Sequence, residues 1–322
     1  MAGPHKRPHR HPKYKTAYHV KNWRQYDKAL RDRGDITLWI SQDDIDAWTP
    51  PRTGTRGAQP VYADVAIETA LTLRLLFHLP LCQMEGFLRA VLQLLGLTLP
   101  CPDHTTLSRR HATVEVRRQI DRAPQGSVCV IVDSTDLKVC GQGEWHTQKH
   151  GEKKRKSWKK LHLGVNDLGQ IIASTVTESH TQDPSQVPVL LSQVDHRIDR
   201  FIGDSIFDQT PVYAVVARHS PGARVIIPPR QDAVLSPTGT TAPTQRDQHI
   251  VAIASAGRFA WKRTSGYYAQ AYAENVFSRF KRTFGDRLRA KRDEAQEREA
   301  SLVCQLLNRM LEFGQPQSYP VS

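Results

Sequence analysis

The sequence predicts a mixed α/β protein in which a sheet flanked by helices follows a helical region. From about residue 127 to residue 230, short apolar runs alternate with segments of helical periodicity, an order typical of such a sheet. From 61 to 125 the apolar residues recur at helical spacing instead. With 322 residues, the chain is long enough for about two domains. We therefore expect an arm and linker over 1–60, the helical region over 61–125 and an α/β domain over 126–322.

The chain is strongly basic. Lys and Arg total 45 against 32 Asp and Glu, which gives a net charge of +13. Such a balance favours a polyanionic partner, either nucleic acid or an anionic membrane surface. The most apolar long window, from Val65 to Leu81, is interrupted by charged residues and is not predicted to cross a membrane. The five scattered cysteines lack the spacing of a zinc site, so we expect reduced thiols in a cytoplasmic protein.

The first 28 residues contain many cations and a single acid, Asp27. Two interpretations stay open: an arm that contacts DNA phosphate, or a disordered, solvated tail. Residues 36–40 are mostly apolar and predict a short strand, after which Ser41 is a suitable N-cap for a helix. Pro50 and Pro51 then break the chain.

The helical region has the pattern of a helix-turn-helix motif. Two helices are predicted on either side of Pro80, and a third begins at Asp103 or Thr105 as its N-cap. Arg109 and Arg110 lie in the early turns of this third helix. The pattern favours DNA binding through these two residues. The alternative is a helical bundle that only packs on the next domain.

Three acidic residues stand at the edges of predicted buried elements. The apolar run 128–132 ends in Asp133, and 200–203 is a shorter version that ends in Asp204. Glu274 lies on an amphipathic helix that Gly285 is expected to end. Taken alone, that helix would be an ordinary one with a solvated Glu.

The remaining predicted elements surround these acids. We expect a hairpin of strands 161–165 and 171–176 around the turn at 166–169, and helices at 184–194, 211–218 and 294–313. Strands are expected at 201–204 and 225–227, and a surface loop or small insertion at 231–257.

A basic run with one aromatic residue lies between the first two predicted strands of the sheet. Its cations are Lys153, Lys154, Arg155, Lys156, Lys159 and Lys160. Such a run is suited to a DNA backbone. The alternative is a solvated basic loop.

These motifs, in this order, resemble the DDE transposases of bacterial insertion sequences, in particular the insertion sequence five family. The resemblance extends from about Tyr62 to Ser318. It is carried by Asp133-Ser134-Thr135, Leu137-Lys138-Val139, Gly143-Glu144-Trp145, Lys149-His150-Gly151, Trp158-Lys159-Lys160-Leu161-His162-Leu163, Gly203-Asp204, Phe207-Asp208, Val225-Ile226-Ile227-Pro228-Pro229-Arg230 and Ser265-Gly266-Tyr267. The resemblance implies a ribonuclease H-like sheet, with Asp133 on its first strand, Asp204 on its fourth and Glu274 on a later helix.

In that family the last acid lies in a pattern of Tyr, two residues, Arg, three residues, Glu, six residues, Lys. Tyr267, Glu274 and Lys281 match this pattern, and Gln270 stands at the Arg position. The resemblance implies that Asp133, Asp204 and Glu274 are catalytic and bind metal. It also implies that Lys281 and Tyr267 hold a nearby phosphate or strand end.

Three carboxylates without a Cys or His pattern suit a hard cation. We expect Mg²⁺ or Mn²⁺, as two ions. The resemblance implies a transposase that cuts and joins double-stranded DNA at element ends and target, as a homo-oligomer, bound to the nucleoid in the cytoplasm of a bacterium. Two alternatives stay open: an inactive DNA-binding protein or regulator, and a nuclease that only hydrolyses.

Overall fold

A computed structural model describes residues 17–116 except 53, 55 and 58, then residues 126–139 and 158–321. By their internal contacts these residues form two compact units. The first unit contains the residues up to Trp39 and those from Arg309 onward, and the second contains Ile40–Asn308. The domain boundaries expected near residues 60 and 125 stay predictions.

The described residues form eight strands and eleven α-helices. The strands are β1 (Ala17–Val20), β2 (Val128–Val139), β3 (Trp158–Val165), β4 (Ile171–Glu178), β5 (Ile198–Ile202), β6 (Arg224–Ile226), β7 (Arg287–Leu288) and β8 (Ser318–Val321). The helices are α1 (Trp23–Asp32), α2 (Gln42–Asp46), α3 (Asp64–Leu76), α4 (Leu81–Leu94), α5 (His104–Arg110), α6 (Val187–Leu191), α7 (Thr210–His219), α8 (Gln245–Ala256), α9 (Arg258–Ser265), α10 (Ala271–Phe284) and α11 (Asp293–Phe313).

The first unit is built from both ends of the chain. Strand β1 pairs antiparallel with β8, and α1 follows β1. The side chain of Arg33 donates hydrogen bonds to the carbonyls of Met310 and Gly314, each at 3.2 Å. The buried ring of Trp39 meets Phe313 edge-on at 5.5 Å. Part of the predicted basic arm is therefore folded, and its first 16 residues lie outside the described part.

Residues Ile36–Trp39 form a 3-10 helix, so the strand predicted there is wrong. The reason is local. The carboxylate of Asp35 accepts hydrogen bonds from the amide of Thr37 at 3.0 Å and from its hydroxyl at 2.7 Å. Such a side-chain cap favours a helical turn over an extended chain.

The helical part of the second unit begins with the predicted cap at Ser41, which forms a capping box with Asp44. Helices α3, α4 and α5 pack against one another. Asp103 caps α5 by accepting from the amides of Thr105 and Thr106. The third predicted helix is thus present, and its role in a helix-turn-helix stays a prediction.

The second unit contains a mixed sheet with the strand order β4-β3-β2-β5-β6, and β7 pairs with the far end of β2. Strands β2, β3 and β4 are antiparallel neighbours, whereas β5 and β6 run parallel to β2. With helices packed on this sheet, the predicted mixed α/β class is confirmed, and the strand order agrees with a ribonuclease H-like sheet.

One face of the sheet is covered by α6 and α7. Their buried residues join Val128, Val130 and Val132 of β2 in a single apolar cluster. Because side chains alternate along a strand, Ile131 and Asp133 point to the other face. Helix α10 packs on β2 and β3.

Several predicted boundaries move. Strand β2 continues six residues beyond Asp133, to Val139, because β3 pairs with it as far as Lys138. The helix expected at 184–194 is a 3-10 turn at Asp183–Gln186 followed by α6. The hairpin of β3 and β4, helix α7 and helix α11 are confirmed.

The segment 231–257 contains helix α8, which the sequence interpretation missed. Thr244 and Asp247 form a capping box at its start. Buried Asp247 also accepts a hydrogen bond from the amide of Ser236 at 2.7 Å. The side chain of Gln245 bonds to the amide of Val225 at 2.8 Å. The segment is thus anchored on strand β6.

Among the described helices, none is by itself long and apolar enough to cross a membrane. Helices α3 and α4 reach such a length only together, across a bend of 109°. The four cysteines in the described residues carry free thiols, and Cys140 lies outside them.

Candidate active site

Asp133 lies on β2 at the point where the fully buried part of the strand ends. Its carboxylate accepts a hydrogen bond from the amide of Ser134 at 2.8 Å. The pKa of Asp133 is raised to about 6, chiefly by burial. The hydrogen bond from Ser134 lowers this pKa, and the charges of Asp204 and Glu274 raise it. The two other predicted acids are therefore close enough to act on Asp133.

Asp204 is placed beside Asp133 by the register of two parallel strands. Ile202 of β5 pairs with Ile131 of β2, and each aspartate follows two residues later. Asp204 caps the short 3-10 helix Ser205–Phe207 by accepting from the amide of Ile206 at 2.9 Å. Burial raises the pKa of its carboxyl.

Gly203 is required by the close packing before Asp204. A Cβ at this position would lie 3.0 Å from the ring of Phe207 and 3.2 Å from Val132. A side chain here would push the loop away from β2. The small residue thus allows the second acid to stay near the first.

Glu274 comes from helix α10, where it lies in the first turn and is exposed. Gly285 ends this helix with a φ of 92°, as predicted. Helix α10 packs on β2 through the apolar face that the sequence indicated: Ala273, Val276, Phe277, Phe280 and Phe284. The charge of Glu274 then acts on both Asp133 and Tyr267.

A fourth acid, Asp183, shares this cleft and was not singled out from the sequence. It is buried at the start of the 3-10 turn after β4. Its charge raises the pKa of both Asp133 and Asp204. The ammonium of Lys160 lies 3.0 Å from its Oδ1, and Nδ1 of His162 lies 3.5 Å from the same atom. The sequence signal was an Asp-Pro pair opening a short helix.

The donor chemistry of the cleft fits a hard divalent ion, because its nearest candidate ligands are all carboxylate oxygens. Within the described part of the chain, no three His, Cys, Asp or Glu side chains are arranged closely enough to hold a metal ion. The acids are therefore electrostatic neighbours that would have to move together to share one ion.

Gln270 joins the segment that carries Glu274 to the strand that carries Asp133. Its side chain is 6% exposed, and Nε2 donates to the carbonyl of Val132 at 3.2 Å. Its Oε1 is buried, with no hydrogen-bond partner in the described structure. Gln270, which stands at the family's Arg position, thus links two elements of the site through a buried hydrogen bond.

Tyr267 is half-buried beside the acids. Burial raises its pKa to about 12, and the charges of Asp204, Asp133 and Glu274 act in the same direction. The phenol is therefore protonated at neutral pH and keeps an O–H that can donate. Its ring lies 6.0 Å from that of Trp261.

Lys281 reaches the same face of β2 from α10. Its Nζ lies 2.6 Å from Oγ1 of Thr135, two residues along the strand from Asp133. Lys281 is exposed and lies two helical turns after Glu274. Its ammonium is therefore accessible at the edge of the cleft.

The loop after Asp204 is fixed by a buried ion pair. Asp208 accepts from Nε of Arg246 at 2.8 Å and from its Nη2 at 3.1 Å. The amide of Arg230 donates to the same carboxylate at 3.1 Å. Helix α8 thereby supports the acid-bearing loop.

The other predicted DNA contacts differ in how they are engaged. Lys159 is buried, and its ammonium lies against Glu178 and 3.0 Å from Asp293. Lys160 is held by Asp183, as described above. DNA contact by either lysine stays a prediction. It would require the lysine to leave its carboxylate partners and bind a DNA phosphate instead. Residues 153–156 lie outside the described part of the chain.

The two arginines of α5 also have different environments. Arg110 pairs with Asp64 at 2.5 Å and donates to the carbonyl of Tyr62 at 3.1 Å. Arg109 is exposed, and its Nη2 donates a hydrogen bond to the hydroxyl of Thr106 at 3.2 Å. Arg109 is therefore accessible to a partner, whereas Arg110 ties α5 to α3.

Two family models match the chain, and both are described as a transposase DDE domain. One matches residues 31–142 and the other residues 124–309, which is more than half of the chain. A solved structure named "Drosophila P element transposase strand transfer complex" aligns with 91% of this chain and 87% of its own, at 10% identity and a TM-score of 0.29.

Proposed function

The chain belongs to the transposase DDE-domain family, and from that premise we propose that it is an insertion-sequence transposase. It binds the ends of its element, cuts DNA there and joins the freed end to target DNA. The finer assignment to the bacterial insertion sequence five family rests on the motif order given above. A homo-oligomeric active complex and a location on the bacterial nucleoid belong to the same proposal.

The observation that supports this proposal most is that three carboxylates from separate elements border one cleft. Asp133, Asp204 and Glu274 come from a strand, a loop and a helix, and the latter two act on the pKa of the first. An ordinary solvated surface would not place three acids beside a buried strand. Two neighbouring carboxyls with raised pKa values, those of Asp133 and Asp204, are typical of a functional site.

These three acids would hold one or two Mg²⁺ or Mn²⁺ ions, which polarise a phosphodiester and activate the attacking oxygen when they are bound. Side chains of the protein bind and orient the phosphate. The O–H of Tyr267 donates to a phosphate oxygen, and the ammonium of Lys281 offsets its negative charge. Gln270 keeps the glutamate-bearing segment against the strand of Asp133.

DNA outside the cleft is held by cations on other elements. Arg109 contacts phosphate from α5, and Arg110 positions that helix through Asp64. The basic run 153–156 supplies further phosphate contacts between β2 and β3. Such contacts fix the register of the protein on DNA without reading its sequence.

Nicking of DNA that carries the gene's own flanking sequence tests the proposal. In Mg²⁺ we expect nicks at one defined boundary, and none with Glu274→Gln or in chelator. A second assay follows joining of the freed 3′ end to unrelated DNA. Nicking without joining would leave a hydrolytic nuclease and refute the transfer step.

The alternative is an inactive DNA-binding protein derived from a transposase, and Gln270 at the family's Arg position favours it. Binding to the flanking DNA without any cutting, in both Mg²⁺ and Mn²⁺, would support this alternative. Restored cutting by Gln270→Arg would identify the substitution as the cause of inactivity.

A further inference from the structure

Three cations lie beside the acidic cleft: Arg230, which ends the motif 225–230, and Arg258 and Lys262, which belong to none of the motifs given above. Arg258 and Lys262 are four residues apart on α9, so they share one face of the helix. Arg230 is exposed in the loop after β6. Within the described residues, no carboxylate forms an ion pair with any of the three. These charges are therefore available to an anionic partner.

The three cations border the residues of the proposed active site. The Nζ of Lys262 lies 5.0 Å from the ring centre of Tyr267. Arg258 donates to the carbonyl of Pro229 at 2.6 Å, and its charge also acts on Tyr267. The Nε of Arg230 lies 3.5 Å from the carbonyl oxygen of Ser205, the residue after Asp204. The cations thus follow one path from the Asp204 loop past Tyr267.

An aromatic ring stands among these charges. Phe259 on α9 is 73% exposed and lies three residues before Lys262, so the two are neighbours on the helix surface. Helix α9 itself is held by Trp261, which is buried and donates to His249 at 3.2 Å. Phe259 is therefore not needed to pack the helix on its neighbours.

We propose that Arg230, Arg258, Lys262 and Phe259 form a binding strip for an unpaired DNA strand. This inference rests on the proposed function. The cations track successive phosphates, and the phenyl ring stacks on a base, as in sites that bind single-stranded nucleic acid. A duplex keeps its bases stacked on one another and would gain only from the cations. The strip leads one separated strand to the carboxylates.

Equilibrium binding to the full chain tests the strip. Fluorescence anisotropy would follow labelled oligothymidine and a labelled duplex of equal charge, in EDTA and over a series of NaCl concentrations. Phe259→Ala is expected to weaken oligothymidine binding about 5-fold or more, with duplex binding unchanged. Lys262→Gln is expected to weaken both and to reduce the salt slope for oligothymidine by about 0.7.

Matched controls come from exposed residues that are not part of the strip. Val234→Ala removes an exposed apolar side chain, and Arg218→Gln removes an exposed cation on α7. Both are expected to bind either DNA as the parent does. Arg258 is not the first choice for substitution, because its hydrogen bond to Pro229 also supports the loop. Equal melting temperatures would establish that the variants are folded.

Two results would overturn the inference. One is unchanged oligothymidine binding by Phe259→Ala and Lys262→Gln. The other is an equal loss of duplex and single-strand binding by Phe259→Ala. Either result leaves the proposed function in place if the parent protein still cuts its flanking DNA. Strip-dependent binding by a protein that never cuts would instead uphold the strip and refute the transposase.

Discussion

The two aspartates and the glutamate of the cleft are held in different ways. Asp133 lies on β2 and Asp204 follows the neighbouring parallel strand β5, and backbone amides donate hydrogen bonds to both carboxylates. Glu274 is an exposed residue in the first turn of α10. The side chain of Gln270 ties the preceding turn to β2, and Lys281 ties the helix to Thr135. Main-chain contacts thus position the two aspartates, whereas side-chain contacts position Glu274.

This difference indicates how the cleft is assembled. Sheet register leaves little freedom to the aspartates, since shifting them would break several ladder hydrogen bonds. Glu274, by contrast, is positioned by the side-chain contacts of Gln270 and Lys281. Substitutions near Glu274 should therefore change activity with small effects on stability. Substitutions at Asp133 or Asp204 should change both activity and stability, unless the new side chain keeps the shape of the old one.

The largest expected effect is on the acids themselves. Asp133→Asn and Glu274→Gln should each lower the nicking rate on the order of 10³-fold, because several kcal/mol of charge stabilisation would be lost. Neither should lower the melting temperature, since each removes a charge that other carboxylates repel. Gel assays of nicking with matched thermal melts would check this. A variant that cuts at the full rate would remove its residue from the site.

Gln270→Ala should lower the nicking rate about 10- to 100-fold, as expected for a residue that orients a ligand. Gln296→Ala is a close control. Gln296 is also buried, donates to a carbonyl at 3.2 Å, and has an Oε1 without a partner in the described structure. Both variants should lose about 1 kcal/mol of stability, and only the first should lose activity. Parallel losses of activity would contradict a positioning role.

The raised pKa of Asp133 predicts a stability that depends on pH in chelator. The folded protein holds this proton up to about pH 6 and the unfolded chain only to about 3.8. Stability therefore falls as pH rises between these values. Asp133→Asn should be more stable than the parent by about 3 kcal/mol at pH 7 and about equal to it below pH 4. Urea unfolding at both pH values measures this difference, and an equal gain at both would refute the raised pKa.

The smallest effect on the nicking rate is expected from the contact between Lys281 of α10 and Thr135 of β2. Thr135→Val removes the hydroxyl that meets Lys281 at 2.6 Å. Because Lys281 is exposed, water replaces much of this contact, and the nicking rate should fall about 3-fold. Thr241→Val, an exposed change in the 231–257 segment, serves as the control. A loss as large as that of Gln270→Ala would mean that both ties position Glu274 equally.

The sequence was sufficient to place Asp133 on a strand and Glu274 on a helix, and to identify the apolar face of α10. Asp204 was expected on a strand, but it follows the end of β5 by two residues and caps a 3-10 helix. The sequence could not show how far β2 extends, because Ser134, Thr135 and Asp136 are all polar and interrupt the apolar run. Asp183 was missed because it approaches the acids only through the turn after β4. Its separation of 50 residues in sequence from Asp133 carries no local signal.

Two other differences have local physical reasons. Lys159 belongs to a basic run in the sequence, yet the register of β3 on β4 places it opposite Glu178, where ion pairing becomes possible. Helix α8 was hidden by a segment rich in Thr, Pro and Gln. Its capping box, Thr244 followed three residues later by Asp247, was present in the sequence and would have indicated a helix start.

The pairing of β1 with β8 has a consequence for biosynthesis. Residues 17–20 are among the first described residues to be translated, and their partners at 318–321 are among the last. During synthesis, β1 therefore has an unpaired edge until the ribosome has translated residues 318–321, whereas the sheet of the second unit can form earlier. The first unit would be completed only after about 300 further residues have been translated.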